Sequence, residues 1–208
     1  MANIKITLTE FLNFVNKSGT AKGTVVKTAK KRREIEDNPY TTDYWYSLRN
    51  RIIEFHKKNK DISFIDDIIN YISDDKKTNY TALINGYKKF LGKKKIKYIT
   101  PIRKTWTIGD ISIILNPELI LEINKKILII KLFMSAKESM DRKHADLILT
   151  LLEHEMRSKV GGDEPIFAVL DVRKGKLFEQ NKKESSLYFL LKGEARSFET
   201  QWKELEKI

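Results

Sequence analysis

Glu118-Leu119-Ile120-Leu121-Glu122-Ile123-Asn124-Lys125-Lys126-Ile127-Leu128-Ile129-Ile130-Lys131-Leu132-Phe133-Met134 is the stretch that decides the fold. It reads as two strands, Glu118–Asn124 and Ile127–Met134, joined by a turn at Asn124-Lys125-Lys126. Strand side chains alternate between faces, and a slip of one residue moves a whole set to the other side. Leu119, Leu121 and Ile123 form one apolar set, which Leu128, Ile130, Leu132 and Met134 match across the turn. The other face then holds Glu118, Ile120 and Glu122 with Ile127, Ile129, Lys131 and Phe133.

Upstream, Thr105–Leu115 shows the same alternation and is expected as the first strand of a three-stranded antiparallel meander. Ile111, Ile113 and Leu115 want the core face used by Leu119 and its partners. An odd loop through Asn116-Pro117 satisfies that and places Asp110 and Ser112 beside Glu122 and Lys131; an even loop sends Asp110 to the far side. In the favoured register Asp110, Glu122 and Lys131 are candidate catalytic residues. Asp110, Glu118 and Glu122 are then candidate oxygen ligands for a divalent cation such as Mg²⁺, with Lys131 stabilising charge or orienting a water. Ordinary cross-strand ion pairs account for the same residues without catalysis.

Downstream, Ser139–Arg157 reads as a long helix. Ala145, Leu147, Ile148, Leu149, Leu151 and Leu152 cover most of its circumference, so it is expected to be buried against the sheet. Gly161-Gly162 breaks the chain, Ile166–Val172 is a further strand, and Arg173-Lys174-Gly175-Lys176 turns it into Leu177-Phe178. Helical segments at Ser186–Lys192 and Glu194–Lys207 follow.

The residues before the sheet read as helices. Thr7 and Glu10 offer a capping box ahead of Phe11, Leu12, Phe14 and Val15. Further helices are expected at Thr24–Glu36, stopped by Asn38-Pro39, at Thr42–Lys58, from Ser63 onward, and at Asn79–Leu91 before Gly92. The fold class is therefore α+β: a basic helical bundle over 1–97, then an α/β module over 98–208 with a meander, a buried helix and a further strand or hairpin.

Charge divides at the same place. Residues 1–104 hold 23 basic and 11 acidic side chains, whereas residues 105–208 hold 17 of each, so the whole net charge of +12 lies in the first half. The cations cluster at Lys27, Lys30, Lys31, Arg32 and Arg33, at Arg49-Arg51-Lys57-Lys58-Lys60, and at Lys88-Lys89-Lys93-Lys94-Lys95-Lys97. Lys27 to Arg33 together with Lys93, Lys94 and Lys95 are the candidate nucleic-acid-binding residues, since lysines near phosphates release condensed counterions with little regard for sequence. A helix-turn-helix with Thr20, Lys22, Thr24 and Lys27 facing a groove is a more specific form of the same idea. Solvated lysine-rich helix faces are the plain alternative.

The chain has no cysteine, which excludes disulfides, thiolate nucleophiles and cysteine-ligated metals. There is no Walker loop and no Gly-x-Gly-x-x-Gly. His56, His144 and His154 are too scattered for a zincin site. No apolar run approaches the ~20 residues that span a bilayer, and Met1–Thr7 lacks a signal-peptide pattern, so a cytoplasmic protein without membrane partners is expected.

Helix, three-strand meander, helix, strand is the order of the PD-(D/E)xK nuclease core, which residues 79–172 resemble. Pro117-Glu118 stands at the family's Pro-Asp and Ile129-Ile130-Lys131 at its (D/E)-x-Lys. Lys131 matches, but Ile129 replaces the second carboxylate. The resemblance implies either that Glu122 has taken over metal binding or that only the scaffold remains. Val160-Gly161-Gly162-Asp163-Glu164-Pro165 is similar to the GGDEF signature of diguanylate cyclases, yet Pro165 replaces its Phe and the upstream nucleotide elements are missing. The expected function is nucleic-acid binding with a degenerate nuclease-like module. The alternatives are an active Mg²⁺-dependent nuclease and an adaptor whose basic half docks an acidic protein.

Overall fold

The computed structural model describes residues 4–34, 43–160, 165–180 and 185–205. The first half contributes β1 (Ile4–Thr7), α1 (Leu8–Val15), α2 (Thr20–Glu34), α3 (Tyr46–Lys57), α4 (Ser63–Asp66, continued by a 3-10 turn over Asp67–Tyr71), α5 (Asp74–Leu91) and β2 (Ile96–Ile99). The second half contributes β3 (Lys104–Ile108), β4 (Ile111–Leu115), β5 (Leu119–Ile123), β6 (Lys126–Phe133), α6 (Arg142–Met156), β7 (Ile166–Asp171), β8 (Lys176–Glu179) and α7 (Ser185–Leu205). The protein is α+β, with a helical amino-terminal part followed by a sheet-rich module, as the sequence pattern requires. The expected stop at Asn38-Pro39 and the Gly161-Gly162 break lie outside the described residues.

The β5–β6 hairpin forms in the register that alternation demands. Leu119 faces Ile130, and Ile123 faces Lys126 across a two-residue loop. Asn124 (φ 52°) and Lys125 (φ 67°) both take the left-handed conformation that a type I′ turn needs to match strand twist. Leu119, Leu121, Ile123, Leu128, Ile130 and Leu132 enter one core, and Ile120 and Ile129 enter the other.

The meander's remaining strand is β2, antiparallel to β5, and Thr105–Leu115 takes no part in it. Thr105–Leu115 is instead a hairpin of its own. Gly109 (φ 57°) and Asp110 form its two-residue loop, so Ile108 faces Ile111. Its second strand, β4, pairs in parallel with β1 to give a small sheet of order β1-β4-β3. The large sheet runs β2-β5-β6-β7-β8, with α6 as the crossover between parallel β6 and β7.

The large sheet is the middle layer of the molecule. One face carries α3, α4 and α5 through Leu48, Ile52, Ile65, Leu83 and Tyr87. The other carries α6, and the same core takes in the small sheet, α1, α2 and α7. Phe11 meets Trp106 edge-on at 5.8 Å, and Phe14 meets Phe198 at 5.0 Å. The amino-terminal helices therefore divide between the two faces. A boundary at residue 97 does not separate the cores, because residues 4–29 and α7 bury their apolar side chains together. The Thr7–Glu10 capping box is present, with the Thr7 N–H donating to Glu10 Oε2 at 2.9 Å and the Glu10 N–H to Thr7 Oγ1 at 3.2 Å. The two expected closing segments are one helix, continuous through Gly193.

Candidate functional site

Glu118 immediately precedes β5 and stands opposite Lys131, the position the register assigns it. Both are buried, and Lys131 Nζ lies 2.5 Å from Glu118 Oε1. Lys131 also donates to the Asn116 carbonyl at 3.3 Å. β5 begins at Leu119, so the Leu132 N–H lies past the end of that ladder; Glu118 Oε2 accepts it at 2.7 Å in place of a strand. Arg49 Nε on α3 stands 3.9 Å from Glu118 Oε1. Burial disfavours the Arg49 guanidinium, but its hydrogen bond to Asp43 and that carboxylate's charge leave its pKa raised overall. Both Glu118 oxygens are thus engaged by this chain's own donors.

The other expected members of that site are elsewhere. Asp110 sits in the β3–β4 turn of the small sheet, where its carboxylate accepts from Lys203 of α7 at 2.7 Å. The cause is the Gly109 turn, which folds 105–115 back on itself instead of running it alongside β5. Glu122 does share a face with Glu118 and Lys131, but it lies four residues along β5 from Glu118, about 13 Å at strand rise. It faces Lys97 of β2, 3.6 Å away. Asp110, Glu122 and Lys131 therefore do not converge, and Glu118 joins neither Asp110 nor Glu122. Among the described residues, no group of three or more His, Asp or Glu side chains is placed to hold a metal ion, Mg²⁺ included.

Asp171, absent from the sequence-based candidates, is buried at the carboxyl end of β7. It alternates with Phe167 and Val169 and so shares the face of Lys131, whose register partner is Val169. Its Oδ1 accepts the Lys174 N–H at 3.2 Å, and Lys174 Nζ stands 4.0 Å from Oδ2. The available signal was a carboxylate closing an otherwise apolar strand, at the end where open α/β sheets collect ligands.

The basic clusters fall on different layers. On α2, Arg33 is a structural residue: it donates to the Lys5 carbonyl at 2.6 Å and to Glu10 Oε2 at 2.8 Å. Burial pushes the Glu10 carboxyl up, but its bonds from Arg33 and Thr7 hold it below its ordinary value. Arg32 is 3.6 Å from the same carboxylate. Lys22 is tied to Glu194 of α7, which removes it from the suggested recognition face. Lys27 and Lys31 are exposed, Lys30 is half-buried, and none of the three has an acidic partner among the described residues.

On the opposite side of the large sheet, the carboxyl ends of α3 and α5 and strand β2 enclose a groove of about 730 Å³. Lys57, Lys88, Lys94 and Lys97 stand around it, and Phe55 and Tyr98 line its apolar floor. Lys94 donates to the Phe90 carbonyl and lies 5.0 Å over that ring. Lys93 and Lys95 flank it, exposed and without an acidic partner among the described residues. His56 adds no charge at neutral pH, since burial pushes it down to about 4. Neither Phe55 nor Tyr98 is among the sequence-based candidates; their place among the lysines depends on β2 closing against α3. No helix of the described residues is long and apolar enough to cross a membrane. Compared with family models, curated proteins and solved structures, the chain matches none.

Proposed function

We propose that this protein binds nucleic acid through the phosphate backbone, without reading sequence. The observation that carries the reading is the cationic surplus of the first half. Lys27, Lys30, Lys31, Lys93 and Lys95 have no carboxylate partner among the described residues. Unpaired surface lysines attract phosphates and release their counterions. Filter binding to mixed DNA and RNA across a salt series tests it. Binding that weakens steeply as salt rises supports the reading; binding indifferent to salt, or none at low salt, opposes it. Co-purification with an acidic chain and no absorbance of nucleic acid would favour the adaptor alternative.

A Mg²⁺-dependent nuclease is the second reading. It is favoured by the shared face and sheet end of Glu118, Lys131 and Asp171. Against it stands the engagement of both Glu118 oxygens by Lys131 and Leu132. Cleavage that requires Mg²⁺ and disappears in Lys131→Ala and Asp171→Asn would establish it; cleavage untouched by both would assign the activity elsewhere.

A further inference from the structure

We infer that the groove between α3, α5 and β2 binds single-stranded nucleic acid, with bases on its apolar floor and phosphates on its lysine rim. The inference deepens the phosphate-binding reading above and rests on it. Lys57 comes from α3, Lys88 from α5, Lys94 from the turn after it and Lys97 from β2, so cations approach from several sides of a floor that includes Phe55 and Tyr98. A simple anion uses the rim alone, and an apolar molecule uses the floor alone. A ligand that uses both alternates anionic and flat apolar groups at short spacing, which is the chemistry of a single strand. A duplex keeps its base faces stacked and offers the floor nothing.

Positive charge continues past the groove at both chain segments that enter it. Lys60 follows α3, and Lys93 and Lys95 follow α5, all exposed, whereas Lys58 is paired with Glu54 at 2.9 Å. That extension suits a polymer longer than the groove. Two rim lysines already have partners: Lys88 pairs with Asp66 and Lys97 with Glu122. Both pairs are substantially exposed, and such pairs hold weakly enough to exchange a carboxylate for a phosphate. Lysines near helix carboxyl ends also answer the helix dipole, and Lys94 bonds the last turn of α5 directly. A role confined to that would make their removal lower stability and leave binding alone.

The test is fluorescence anisotropy of the full chain with labelled oligothymidylate and with a duplex of equal length, each variant's melting temperature being measured alongside. The single strand is expected to bind about tenfold tighter than the duplex. Four lysine–phosphate contacts imply a loss of about 50-fold between about 50 and 200 mM salt. Lys57→Gln with Lys97→Gln should roughly halve that log–log salt slope, while the charge-matched pair Lys137→Gln and Lys143→Gln should leave it unchanged. Phe55→Leu with Tyr98→Leu, which keeps apolar bulk, should cost about tenfold on the single strand and nothing on the duplex.

Binding to neither nucleic acid overturns the groove and the phosphate reading together. Salt-sensitive binding in which the groove variants behave like the control pair, or lose only melting temperature, overturns the groove and leaves the phosphate reading standing. Preference for the duplex, or for vesicles of anionic lipid over oligothymidylate, likewise removes the single-strand assignment.

Discussion

At the scale of the residue, two positions carry consequences that stability measurements can read. Gly86 lies inside α5 where the helix crosses the turn after β7. A Cβ there would stand 2.1 Å from the Val172 carbonyl oxygen and 2.3 Å from that of Arg173. Alanine by itself favours a helix interior by about 1 kcal/mol over glycine. Two backbone oxygens that have nowhere to move outweigh this, so Gly86→Ala should lose about 2–3 kcal/mol in a urea titration. His56 is the second position. Its Nε2 meets the Tyr87 hydroxyl in the core, and burial lowers its pKa from 6.5 to about 4. Between those values the unfolded chain binds the proton and the folded chain does not. Its contribution is complete above pH 6.5 and drains away as pH falls toward 4, by roughly 2–3 kcal/mol. His56→Gln should flatten stability across that window; an unchanged slope would show that the imidazole is protonated in the folded state.

At the scale of the element, the β5–β6 hairpin is held by its apolar faces and closed at one end by Glu118 and Lys131. Removing one partner of a buried pair strands the other charge, so Lys131→Met should cost about 3–5 kcal/mol. Glu118→Gln with Lys131→Met should cost less than the two single changes summed, as read from a double-mutant cycle in urea. Strict additivity would mean the two groups do not sense each other. This hairpin was legible in the sequence because both strands alternate cleanly and their apolar sets match across Asn124-Lys125. The α1 cap was legible because Thr7 and Glu10 are local partners. The small sheet was not. Gly109-Asp110 is a two-residue hairpin signal, with glycine at the first central position as a type II′ turn prefers, but Thr105–Leu115 also reads as one unbroken alternating strand. The choice between them rests on β1, more than 100 residues upstream, which supplies the edge that β4 needs. Asp110 was misplaced for that reason, and Glu122 because facing the same way is not the same as being close.

At the scale of the whole molecule, composition reported the charge asymmetry faithfully but not how the cations are distributed in space. The change of period near residue 98 marks a change of secondary structure and not a division between cores, since β1, α1 and α2 complete the core of α6 and α7. The full chain should therefore unfold in one cooperative transition, with near-ultraviolet and far-ultraviolet dichroism tracing the same curve. Two separated transitions would restore a boundary near residue 97. The same layering puts α2 and the α3–α5–β2 groove on opposite sides of the large sheet, so the positive charge forms more than one surface, and the groove sets the half-buried rings of Phe55 and Tyr98 among its lysines. The most direct measurement is ultraviolet crosslinking of oligothymidylate to the intact protein, with the crosslinked residues located by mass spectrometry. Crosslinks are expected in the segments carrying Phe55 and Tyr98. Crosslinks confined to α2, or to the face of α6 and α7, would contradict binding in the groove.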